Sequence, residues 1–407
     1  VTQTAVDPHS LHVEAAAATP LPLHGEVGVR RFFMIHSLAA VFPLTAGWIL
    51  FGWRALLAAV LVLSGTAIGL AVWKRVGMRG RRIGVARGMW MSALLALTMP
   101  PHLASFTYPT APIPTAVWPV LVAAGLALSL LLWIFAGVGS GRVHPVPVIA
   151  LLTIFLFQPL MTPRFVLHPS RIVNGDVTQA LPPKTPEPGE LAPVRKEAWT
   201  SVRDLPLRDA LYVEPASERL INFTTGGQTP GRAALSLEEL IRDTMPPLED
   251  LIVGGAPAAV GLGSAIAVIM GGLFLLRRGL IDFRVPLLVC VSAVIALFVL
   301  PIPIVIENVR HWRALGRSGV GLSVATTFVS YELMAGPLLF VAFYLASAPG
   351  VRPLTRRGRA VYAVLIGIGT AALQLYLDVS YGAYLALLVV GLLTPLLDRI
   401  FKARPLL

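Results

Sequence analysis

Apolar runs of membrane-crossing length recur along the chain, at 31–52, 55–73, 84–99, 115–138, 145–161, 251–276, 285–306, 320–347, 360–376 and 380–397. A helix needs about 20 mostly apolar residues to cross about 30 Å of hydrocarbon. The pattern therefore predicts an all-α polytopic membrane protein with about ten transmembrane helices. The third and fifth runs are short and end at proline (Pro100 and Pro101; Pro159), as broken or re-entrant helices inside a bundle do.

Segment 162–250 breaks the pattern. It holds 13 of the chain's 21 acidic residues and seldom stays apolar for more than three positions, so it reads as one large water-facing insert. Pro182, Pro183, Pro186 and Pro188 mark linkers, and Leu235 to Arg242 predicts a short amphipathic helix capped by Ser236 with Glu239 three residues on. The resulting division is a polar cytoplasmic N-terminal tail (1–30), a five-helix membrane half (31–161), the insert (162–250), a second five-helix half (251–400) and a C-terminal tail (401–407). The tail at 1–30 lacks the charged and apolar regions of a signal peptide.

Basic loops near 74–87, 277–284 and 352–359 fall on the cytoplasmic side if the first run starts inside, which puts the insert on the extracytoplasmic face. Arg310, Arg313 and Arg317 run against this topology, since their loop falls outside.

Composition agrees with the pattern: 56% of residues are hydrophobic and 13% charged, where soluble chains carry about 25% charge. The net charge of +12 resides in short loops between apolar runs, not in a patch interleaved with aromatics. That distribution follows from positive-inside orientation and argues for a lipid bilayer, not a nucleic acid, as partner. Cys290, the one cysteine, lies in an apolar run, which excludes intrachain disulfides and cysteine-ligated iron–sulfur or zinc sites; no metal is expected. Hydrolase, dinucleotide-fold and P-loop motifs are absent from the sequence.

Ionisable residues within apolar runs are costly and mark functional candidates. Glu332, near the middle of the eighth run, could relay a proton or bind a cation; a structural hydrogen bond to a neighbouring helix is the competing reading. His36 has a similar structural reading as an interhelical donor, and Asp378 falls between the last two runs. Gly254-Gly255 and Gly271-Gly272 permit close approach of helices or a ligand. The turn Thr224-Thr225-Gly226-Gly227-Gln228-Thr229-Pro230 is rich in small and hydroxyl residues.

Several blocks, in order, resemble the NqrB/RnfD family, membrane subunits of the sodium-pumping NADH:quinone oxidoreductase and of the Rnf ferredoxin:NAD oxidoreductase. They are Phe51-Gly52-Trp53-Arg54-Ala55-Leu56; the stretch Ala93 to Pro101 (ALLALTMPP); Leu251 to Gly254 running through Gly261, Ser264 and Ala265 to Leu273; and Pro353 to Arg359 with Thr394 to Arg399. The resemblance implies a urea-transporter-like ten-helix bundle in a prokaryotic inner membrane, partnered by other membrane and redox subunits. It further implies FMN joined by a phosphoester to a threonine on the outer side, and a second, non-covalent flavin. The attachment segment corresponds to Thr225, Gly226, Gly227 and Thr229.

Departures accompany the likeness. Aligned without a gap, Gln228 takes the acceptor position and cannot form an ester; with one inserted residue Thr229 takes it. Asn222 stands where the family has an acidic residue, Gly261-Leu262-Gly263-Ser264 where it has G-E-T-S, His144-Pro145-Val146 where it has N-P-A, and Arg87-Gly88-Met89 near its D-G-S-A. Two expectations stay open: a flavin-carrying subunit coupled to cation movement, and a flavin-free structural anchor or channel-like subunit. Neither makes the chain the electron-input module, since it lacks a nicotinamide fold.

Overall fold

The computed structural model describes residues 29–76, 84–104, 117–135, 143–157, 216–225, 236–245, 247–254, 258–306, 309–317, 319–377 and 381–401. The segment expected as the first membrane half contains α1 (Val29–Phe51), α2 (Trp53–Val76), α3 (Val85–Thr98), α4 (Pro119–Phe135) and α5 (Pro145–Leu156). The insert contributes α6 (Ala216–Thr225), α7 (Leu237–Glu239, continued by a π-helical turn Leu240–Thr244) and α8 (Leu248–Ile252). The second half contains α9 (Ala265–Arg277), α10 (Arg284–Val299), a hairpin of β1 (Pro301–Ile306) and β2 (Val309–Ala314), and α11 (Leu322–Met334). It closes with α12 (Leu338–Phe340, continued by a π-helical turn Val341–Leu345), α13 (Arg356–Tyr376) and α14 (Gly382–Ile400).

Four of these helices, α1, α2, α13 and α14, are long and apolar enough to cross a membrane, and the bent pair α11–α12 makes a fifth. The remaining apolar helices α3, α4, α5, α9 and α10 are 12 to 17 residues long. The outside of the bundle is apolar: Ile49, Val60, Phe155, Ile295, Val389 and Leu392 are exposed large hydrophobics. Hydroxyls and amides such as Thr66, Ser92, Thr370 and Gln374 are buried. An exterior this apolar needs lipid, while the buried hydroxyls of Thr66, Ser92 and Thr370 bond between or within helices.

The two halves close in the same way. In the first, α2 packs chiefly on α4, and in the second α10 packs chiefly on α13. Small residues set both crossings. Gly65 sits against Val122, Gly125 against Val62, and Gly367 against Val289 and Ser292. Thr66 Oγ1 lies 2.8 Å from Ser92 Oγ and 3.2 Å from the Gly125 carbonyl, tying α2 to α3 and α4. Trp73 donates to Ser129 at 3.2 Å and stacks on Trp133.

Three apolar runs differ from the continuous helices expected of them. Run 251–276 is not one continuous helix: α8 ends at Ile252, Gly254 adopts φ +123°, which a side chain would strain, 258–264 forms no helix, and α9 starts only at Ala265. Run 285–306 leaves the helix at Leu300 (ψ 135°), because Pro301 disfavours the α conformation in the residue before it, and β-branched Ile302, Ile304, Val305 and Ile306 continue as a strand. Run 320–347 bends by 59° between Met334 and Leu338, where Gly336 and Pro337 interrupt the helical bonding.

The expected break after the third run is present: α3 ends at Thr98, and Pro101–Ala104 forms a single 3-10 turn. The predicted capped helix is also present. Ser236 Oγ accepts from Glu239 N at 3.2 Å while Glu239 Oε2 accepts from Ser236 N at 2.8 Å.

Candidate functional site

The blocks that carry the family resemblance meet in space. Val260 N donates to the Met99 carbonyl at 3.0 Å and Gly261 N to the Leu97 carbonyl at 2.8 Å. The broken end of α3 is thereby paired with the non-helical entry to α9, so backbone groups freed by one break are satisfied by the other. Phe51, which opens the first block, packs beside Gly263, and Leu50 just before it packs beside Gly254 and Gly263. At the far end of the chain, Thr394 Oγ1 donates to the Val351 carbonyl at 3.1 Å, and Leu354 N donates to Asp398 Oδ1 at 2.9 Å. The two parts of the last block therefore form one unit.

Two of the segments that depart from the family pattern still cap a helix. His144 is buried at the N-cap of α5, and its Nδ1 accepts from Val146 N at 3.3 Å, the task an Asn would perform there. Ser264 caps α9 by accepting from Ala267 N and donates to the Ile252 carbonyl at 3.2 Å.

Glu332 lies on α11 one turn before the bend, only 3% exposed. Its Oε1 is shielded from solvent with no hydrogen-bond partner among the described residues. Helix α11 packs against α10 and against α6 and α8 of the insert, so the carboxyl sits near the junction of bundle and insert. A charge placed there must be neutralised by a proton or paired with a cation. The C-terminal end of α11, carrying negative partial charge, favours a cation. The expected interhelical bond of His36 is not seen among the described residues: its Nδ1 lies 3.0 Å from the Phe32 carbonyl of its own helix, its Nε2 has no partner there, and its ring packs against Phe32 and Trp90.

The acceptor segment is described only in part. Thr224 and Thr225 end α6, where Thr224 Oγ1 donates to Leu220 and Thr225 Oγ1 to Ile221 at 2.7 Å. A phosphate beside Thr225 would face the negative end of the helix dipole, so Thr225 fits poorly as an FMN acceptor. Gly226, Gly227, Gln228 and Thr229 lie outside the described residues, as does Asp378.

Two features escape the sequence pattern. Gln374, 3% exposed on α13, is an amide inside an apolar run, a signal hidden by attention to ionisable groups alone. Asp282, the one acid of its basic loop, pairs with Arg359 at 2.9 Å and accepts from Arg284 N. It joins the α9–α10 loop to the start of α13.

Broken apolar helices, an apolar exterior and a few buried polar groups define a multi-pass helical membrane protein. The chain belongs to the NQR2, RnfD, RnfE family, whose sequence profile matches residues 19–406. It is 27% identical over 380 residues to the D subunit of the ion-translocating oxidoreductase complex of Stutzerimonas stutzeri, covering 91% of this chain and 90% of that protein. Against the same-named protein of Halorhodospira halophila it is 25% identical over 375 residues, with the same coverage. It is 28% identical over 164 residues to the D subunit of the Na(+)-translocating ferredoxin:NAD(+) oxidoreductase complex of Acetobacterium woodii. That match spans 40% of this chain and 43% of the Acetobacterium protein, less than half its length.

Proposed function

We propose that this chain is a membrane subunit of a multi-subunit, ion-translocating electron-transfer complex in a prokaryotic inner membrane. The observation that carries the reading is its match, over nine-tenths of both chains, to proteins named as the D subunits of ion-translocating oxidoreductase complexes. In this reading all ten apolar helical units cross the bilayer as a urea-transporter-like bundle of two five-helix halves. The insert lies on the outer face and docks a redox partner. Support for that sidedness comes from geometry. Insert helix α6 and the hairpin pack at one end of α13, where Tyr376 donates to the Pro301 carbonyl, whereas Arg352, Arg356 and Arg359 cluster at the other.

Glu332 is the group through which a cation or proton passes, and Thr229 is the residue that carries FMN. Thr229 is favoured over Thr225 because its hydroxyl lies four residues beyond the helix end whose dipole opposes a phosphate. FMN held there would supply one-electron and two-electron redox chemistry. A second reading, the flavin-free anchor, is favoured by Asn222 and Gln228, which replace the acidic and acceptor positions of the family pattern.

Affinity purification of the tagged full chain from its native membrane, followed by subunit identification and flavin fluorescence of the denatured polypeptide, tests the proposal. Co-purifying redox subunits support it; a chain that purifies with none refutes it. Fluorescence lost in Thr229→Ala and kept in Thr225→Ala assigns the ester. A wild-type chain without fluorescence leaves the anchor reading.

A further inference from the structure

At the end of the bundle opposite the insert, the loop before α13 and the end of α14 line a groove of about 590 Å³, and the α9–α10 loop and the start of α13 line a second opening of about 400 Å³ beside it. Arg352 and Arg359 line both. Arg399 lines the first, and Arg284 and Arg356 line the second. Five arginines therefore face two acids, Asp282 and Asp398, an excess of three positive charges (5 − 2).

Both acids are already engaged. Asp282 pairs with Arg359, and Asp398 accepts the Leu354 amide. Arg352 Nη1 and Arg359 Nε are shielded from solvent and have no acceptor among the described residues. Burial, and then the neighbouring Arg359 charge, lower the proton affinity of Arg352 below the usual guanidinium range. Two neighbouring guanidinium groups, each with an unused buried donor, form a site short of an anion.

The rim of the groove indicates which anion. Leu354 is 80% exposed and Phe283 57% exposed, and Leu396 and Ile400 on α14 are also exposed. These side chains continue the apolar exterior of the helices up to the arginines. A ligand with an anionic head and an apolar body would match both surfaces, as basic pockets between membrane helices match anionic lipids. We propose that the groove binds the phosphodiester of an anionic phospholipid, its phosphate between Arg352 and Arg359 and its acyl chains along Phe283, Leu354 and the α14 exterior. The lipid would pin the α9–α10 loop to the start of α13 and the end of α14.

Native mass spectrometry of the delipidated full chain, titrated with dioleoyl phosphatidylglycerol or dioleoyl phosphatidylcholine, tests this. The wild type should retain the anionic lipid more tightly, and Arg352→Gln and Arg356→Gln should each weaken that retention by about fivefold per arginine. Arg356 is exposed, so its replacement keeps the test valid should Arg352→Gln fold poorly. Arg357→Gln, also exposed but outside the groove lining, should change little. Equal retention of the two lipids, or an equal loss in Arg357→Gln, would overturn the proposal. Displacement of the lipid by millimolar inorganic phosphate would assign the site to free phosphate and overturn the lipid source. Disappearance of the adduct in the intact complex would show that an acidic partner protein occupies the groove instead.

Discussion

Replacing Gly367 by alanine adds one methyl at the α10–α13 crossing, where it has no room. A Cβ there would stand 2.9 Å from the Ala293 amide nitrogen and nearer still to the Val289 carbonyl oxygen and Ser292 Oγ, whereas ordinary contacts begin at 3.4 Å. Two of the three neighbours are backbone atoms that cannot rotate away. The helices must part by more than roughly 0.5 Å (3.4 − 2.9), because the Val289 oxygen stands nearer than the Ala293 nitrogen, and a gap of that size forfeits about a quarter to a half of each facing dispersion contact.

Overpacking of this kind costs about 1–3 kcal/mol, and backbone neighbours place Gly367→Ala toward the upper end. Gly369→Ala, two residues along the same helix, supplies the control: its Cβ would meet only the Ala386 methyl at 3.5 Å. Alanine gains about 1 kcal/mol of helix propensity over glycine, so this variant should be neutral or slightly stabilised. Equilibrium unfolding in mixed micelles, followed by tryptophan fluorescence, reads both. Equal stability of the two variants would refute the close crossing of α10 and α13.

Three further outcomes follow from particular contacts. Asp282→Asn leaves Arg359 beside Arg352 without its carboxylate. It should cost about 1 kcal/mol, a modest loss because both side chains are partly exposed, and should tighten retention of phosphatidylglycerol in the same lipid titration. Ser236→Ala removes one half of the capping box and should destabilise α7 by about 1 kcal/mol, read as faster amide exchange over 236–245 without change in the membrane helices. Gly261→Ala, whose Cβ would stand 2.5 Å from Leu97 Cβ, should separate the α3 end from the α9 entry and expose the backbone amide at position 261 to exchange.

The helical class and the long spans α1, α2, α13 and α14 are legible in the sequence because a membrane-crossing helix leaves a long apolar signal. The α3 break and the Ser236 cap are legible for a local reason, since proline and a serine–glutamate spacing act on their own backbone. The bends in α11–α12 and before α9 are less visible. Gly336-Pro337 and Gly254 are short interruptions within strongly apolar stretches, and a hydropathy average passes over them. The β1–β2 hairpin is hidden in the same way, since Ile302, Ile304 and Val305 are as apolar as the helix before them.

Among site residues, Glu332 stands out because a lone acid in an apolar run is conspicuous. The Asp282–Arg359 pair joins residues 77 positions apart, and no local pattern announces it. The meeting of the α3 end with Gly261 is likewise tertiary, though both partners lie in blocks that the family resemblance marks.

Cation coupling through Glu332 is tested most directly in sealed membrane vesicles containing the assembled complex, driven by its electron donor, with wild-type chain or Glu332→Gln. The glutamine is nearly isosteric, so assembly should persist, checked by co-purification of the other subunits. Redox-driven cation uptake should fall in Glu332→Gln to the level of vesicles treated with an ionophore. Uptake equal to wild type in a fully assembled Glu332→Gln complex would contradict the account.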